Sequence, residues 1–180
     1  MAGTKSWMNP KFSLIGLGNI LLRDEGVGVH AVEALRKKYD FPDLIRLLDG
    51  GTMGLDLLPY LEGMEKILFI DAVDLKQEPG TIALLEDDEI PSILNPALSF
   101  HQVGLSDLLF ASKFMGMKPS KITLIGIQPE KIETGLNLSE ILNEKFGKLL
   151  ETILEKLREW GVEFREKTRR GLADVHRHSL

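Results

Sequence analysis

Apolar positions fall into short runs separated by segments with helical spacing. Phe12 to Leu17 is a six-residue run, after which Val29, Val32, Leu35 and Tyr39 recur at intervals of three to four. Leu44 to Leu48 forms a second run, closed by Asp49-Gly50-Gly51, and Leu55, Leu58 and Leu61 then mark a short helix. Lys66 to Ile70 is apolar almost throughout, as a strand covered on both faces should be, and it stops at Asp71. Ile122 to Ile127 repeats that pattern. The spacing predicts strand alternating with helix, and hence a three-layer α/β domain around a mostly parallel five-stranded sheet.

One strand breaks the rule. Thr81 to Leu85 has strand character, but only Ala72 to Pro79 separates it from the preceding run. A parallel return needs a crossover of a dozen or more residues, so this strand is predicted antiparallel. Leu105, Leu108, Leu109 and Ala111 outline a helical face before the fifth strand. The final helix places Ile141, Leu142, Phe146, Leu149, Leu150, Ile153, Leu154, Leu157 and Trp160 on one stripe. Ser139 suits its N-cap and Gly161 its stop.

Length adds one fact: 180 residues suit a single domain. We expect an N-terminal extension over residues 1–11, the domain over 12–164 and a basic, mobile tail over 165–180. That tail holds five basic and two acidic residues, while the whole chain has 22 basic and 27 acidic. The body is therefore acidic, which argues against a nucleic-acid surface. No run approaches a membrane span, and the first ten residues lack the apolar segment of a signal peptide. There is no cysteine, which removes thiol nucleophiles, disulfides and thiolate metal sites. A cytoplasmic location with no membrane partner is the expectation.

Ligands of open α/β sheets bind outside the carboxyl ends of the strands, so candidate chemistry is sought there. Gly16-Leu17-Gly18-Asn19 resembles the start of a dinucleotide loop, but Leu21 stands at the third glycine, and Asp24 and Glu25 would face the phosphates. A tight turn bringing strand and helix together explains these glycines better. No P-loop, nucleophile elbow or His-Glu-x-x-His motif is present. The acidic run Glu86 to Glu89 reads as a solvated turn rather than a calcium loop. Of the histidines, His30 reads as structural or surface, and His176 and His178 have no rigid support.

Glu25, Asp71 and His101 remain, one from each of three loops at that end of the sheet. Singly, each has an ordinary explanation: a helix-dipole acid, a turn aspartate and a surface histidine. Together, two carboxylates and an imidazole suit a borderline divalent ion such as nickel, zinc or iron, and two close carboxylates suit water activation.

The loop from Gly16 to Val29, with Asp49-Gly50-Gly51-Thr52, Ile70-Asp71-Ala72, Pro79-Gly80-Thr81 and His101-Gln102-Val103-Gly104-Leu105, resembles the nickel–iron hydrogenase maturation endopeptidases over roughly Phe12 to Val162. The resemblance implies an α/β/α sandwich of the phosphorylase/hydrolase-like kind, with a five-stranded mixed sheet and one antiparallel strand. It also implies removal of a C-terminal extension from the hydrogenase large-subunit precursor after nickel insertion. Glu25, Asp71 and His101 fall on the metal-contacting positions of those enzymes, with Asp71 or Glu25 as the catalytic base. Nickel would arrive within the substrate as a recognition key. The competing readings are a Rossmann-like nucleotide- or metal-binding domain without peptidase activity, and a general peptidase on the same sandwich.

Overall fold

The computed structural model describes residues 10–93 and 102–168. In chain order, strand β1 is Phe12–Leu17, helix α1 Val27–Lys38, β2 Tyr39–Asp40 and β3 Ile45–Gly51. Helix α2 is Leu58–Leu61, β4 Lys66–Ala72, β5 Ile82–Glu86 and α3 Ile90–Ile93. Helix α4 is Gln102–Phe114, β6 Lys121–Ile127, α5 Glu140–Glu159 and β7 Arg165–Glu166. Two 3-10 turns, Arg23–Gly26 and Gly54–Leu57, lead into α1 and α2. Among the described residues, no helix is long and apolar enough to cross a membrane.

The main sheet has the order β3-β1-β4-β6-β5, parallel except where β5 runs against β6. The short connection after β4 thus produces the antiparallel edge that its length requires. Alternate residues of the central strands feed two cores. Phe12, Leu14, Leu68 and Ile70 meet α1 and α5 through Val32, Leu35, Leu149 and Ile153. Ile15, Leu17, Ile67 and Phe69 meet the other layer through Leu57, Leu61, Leu105 and Leu108. All six residues of β1 are buried, Ser13 included, which explains a run that is apolar apart from that serine. The stripe on α5 packs as its periodicity requires, with Ser139 Oγ accepting from Leu142 N–H at 3.3 Å and Gly161 at φ +78°.

Several expectations need correction. Strand β4 does not stop at Asp71 but continues to Ala72, with Asp71 opposite Gly126. Strand β3 runs on through the glycines expected to close it. The acidic turn is paired: Glu86 holds Lys121 and the buried Lys156, and Asp87 accepts from Ile122 N–H at 3.0 Å. Burial alone would pull the Lys156 pKa down, but hydrogen bonds with Glu159 and Glu86 reverse that and raise it. The ribbon of β2 with β7 was not foreseen; it sets Arg165–Glu166, where the basic tail was expected to start, against the body.

A buried acid pair at the switch point of the sheet

From β1 the chain moves outward to β3, then crosses back to β4 on the other side of β1. Crevices form where successive connections leave a sheet in opposite directions, here beyond the carboxyl ends of β1 and β4. Glu25 follows β1 and Asp71 ends β4, so the topology alone brings these two sequence-predicted acids to one crevice.

Glycine makes the approach close. A Cβ on Gly28 would lie 2.1 Å from the Ile70 carbonyl oxygen and 2.5 Å from that of Leu17, so α1 starts directly against the backbone of both strands. Gly18, at φ +112°, leaves no room for a Cβ beside the Glu25 carbonyl, which would be 1.7 Å away. These glycines serve close backbone packing rather than phosphate binding, as the turn reading expects. The Gly18 N–H also donates to Gly51 O at 3.0 Å, joining this loop to the end of β3.

The two adjacent acids of the loop have different tasks. Asp24 is fully buried, and its oxygens accept from the backbone N–H groups of Glu130, Lys131 and Ser139 at 2.9, 2.8 and 2.6 Å. It clamps the segment between β6 and α5 over the 3-10 turn. Arg23 beside it, at φ 52°, is held by Gly135 O and by Glu133. Glu25 is 5% exposed and Asp71 6%. Burial pushes the Asp71 carboxyl up to about 8; the Ala72 N–H opposes this, and the charge of Glu25 adds to it. The acids are therefore close enough to couple.

Asp71 opens into a cleft of about 280 Å³ lined also by Gly18, Gly51, Thr52, Leu57, Gly104 and Asp107. One wall is the β3 end with the following turn, the other α4. Asp107 was missed, since an exposed polar residue on an amphipathic helix carries no signal until the fold places it at a cleft; Thr52 stood within the family-like segment Asp49-Gly50-Gly51-Thr52 but was given no place in the site. His101 lies outside the described residues, as do His176 and His178. Among the described residues, no group of three or more metal-ligating side chains is assembled. His30 on α1 is partly buried, and burial first, then Lys37, lowers its pKa; it stands apart from the cleft, lining a separate pocket with Glu33 and Asn143.

Such a site offers two buried carboxylates: Asp71, which lines the cleft and which burial keeps protonated near neutrality, and Glu25, close enough for its charge to act on Asp71. A family description, hydrogenase maturation protease, matches residues 29–156. The hydrogenase 2 maturation protease of Escherichia coli strain K12 is 42% identical over 151 residues, spanning 83% of this chain and 92% of that protein. The solved hydrogenase maturating endopeptidase HybD from E. coli superposes with a TM-score of 0.83 at 40% identity, covering 87% of this chain and 98% of the other. A NiFe hydrogenase maturation protease HybD from Thermococcus kodakarensis gives 0.67 at 30% identity, covering 82% and 98%.

Proposed function

The chain belongs to the hydrogenase maturation protease family and is a peptide-bond hydrolase; from that premise, we propose that it trims the C-terminal extension from a nickel–iron hydrogenase large-subunit precursor once nickel is in place. The Thermococcus relative is described as acting in NiFe hydrogenase maturation, which supports that substrate class. The observation carrying the chemistry is the coupling of Glu25 to a buried Asp71 whose proton is held to about pH 8.

In this reading Glu25 and Asp71 share one proton near neutral pH, in the manner of an aspartyl-type pair. The ionised member takes a proton from the attacking water, and the protonated member donates to the departing amine. Were Asp71 to lose its proton as well, the two buried carboxylates would repel one another, and a divalent ion would relieve that repulsion, so the donor set fits a metal approaching the cleft. Nickel belongs to the substrate: with oxygen ligands from Glu25 and Asp71, His101 as the third ligand and no cysteine in the chain, the enzyme can contact the ion without extracting it. Loaded precursor then binds more tightly than empty precursor, and that difference is the recognition key. A reducing cytoplasm suits a cysteine-free protease whose substrate presents metal-bound thiolates.

The test compares nickel-loaded with nickel-free precursor. Cleavage of the loaded form alone is expected, and equal cleavage of both removes the recognition claim. Loss of processing in Glu25→Gln, Asp71→Asn and His101→Ala, each folded, is expected; full activity in all three refutes the assignment.

A further inference from the structure

Helix α4 is apolar on two sides. Leu105 and Leu108 are buried against the sheet, whereas Phe110 is 73% exposed and Phe114 85%, with Met115 just beyond the helix at 54%. At about 100° per residue, Asp107, Phe110 and Phe114 lie within roughly 60° of one another around the helix axis. Asp107 lines the cleft. The stripe therefore begins at the groove and leaves it along α4 for about 10 Å, at 1.5 Å per residue. Neighbouring aromatic rings this open to water are characteristic of interaction surfaces.

A protease acting on another protein must pass part of that protein through its cleft. A chain leaving past Asp107 meets Phe110 and Phe114 within the next two helical turns. We propose that this stripe docks the protein substrate: Phe110 and Phe114 take an apolar patch on the folded body of the precursor while its terminal segment occupies the groove. The inference rests on the precursor being the substrate, as set out above. It assigns the body of the partner, rather than the residues around the cut bond, a share of the recognition, and it gives the enzyme a means of choosing among precursors independently of the metal.

The experiment measures cleavage of purified nickel-loaded precursor by Phe110→Ser combined with Phe114→Ser. KM is expected to rise at least tenfold with kcat within twofold. Phe114→Leu, which keeps an apolar side chain, should stay within threefold of the parent in KM. Leu84→Ser, on the edge strand at 40% exposure, should not change KM. Melting temperature checks folding, and both rings are exposed enough for the variants to retain it. Unchanged KM in the double variant overturns the proposal, as does an equal rise in Leu84→Ser. A parental dimer in sedimentation that dissociates in the double variant assigns the stripe to a second copy and also overturns it. If the parent binds precursor and only the double variant loses binding, yet no cleavage occurs, docking stands and the assigned reaction fails; if the parent neither binds nor cleaves it, both fall.

Discussion

Two buried aspartates, Asp24 and Asp71, differ in what surrounds their oxygens. Asp24 accepts three backbone N–H groups, and removing it strands donors that lie partly or wholly out of water. Asp24→Ala should cost about 3–5 kcal/mol in urea unfolding and weaken processing by loosening the loop that holds Glu25. Glu25→Gln should abolish processing with little loss of stability. It also removes a charge that raises the Asp71 pKa, so carboxyl 13C NMR of the metal-free variant should show Asp71 titrating below about 8 yet above an ordinary aspartate, since burial remains. Asp71 itself binds its proton more tightly folded than unfolded. Its contribution to stability is therefore complete below the unfolded pKa of about 4 and is lost as pH rises towards 8. Asp71→Asn should match the metal-free parent near pH 4 and exceed it increasingly up to pH 8, by an amount on the order of a few kcal/mol. A difference that shrinks with rising pH contradicts this. The sequence singled out Glu25 but gave Asp24 no task; its partners, more than a hundred positions away, supply one.

At the scale of elements, the junction of α1 with β1 and β4 is backbone against backbone. Gly28→Ala drives a methyl group into the Ile70 and Leu17 carbonyls and should lower stability by about 3 kcal/mol or more in denaturant titration, reducing activity as Asp71 shifts with β4. A variant as stable as the parent removes that account of the glycines. Elements with a clear period were legible: β1, β6 and α5 follow the hydrophobic pattern within a residue or two, and the short link after β4 revealed the antiparallel strand. The two-residue strands β2 and β7 were not, because two positions hold no period and their pairing joins residues about 125 apart. The acidic turn at Glu86 looked solvated because its partners, Lys121 and Lys156, come from distant elements. Asp107 was invisible for the same reason, its importance arising only when α4 becomes a wall of the cleft.

Across the whole molecule, the ribbon and the cleft lie at opposite ends. Helix α1 starts at the crevice and runs back about 18 Å before entering β2. There Tyr39, Phe41 and Phe164 cluster with ring centroids 5.4 to 6.2 Å apart, and Lys167 donates to Arg36 O at 2.8 Å. Truncation after Phe164 should therefore lower the melting temperature by a few degrees through loss of the ribbon, while leaving kcat and KM for precursor unchanged. Altered kinetics would place the terminal segment in substrate binding.

The glycine seam at the start of α1 has one more consequence. Backbone that touches backbone has no side chain to trim and tolerates none added, so Glu25 and Asp71 behave as teeth cast in one jaw, their spacing changed only at a cost to the fold itself. Diversification among partners then falls to the opposing jaw, the turn after β3 and the outer surface of α4, where residues can change freely without disturbing the reacting groups.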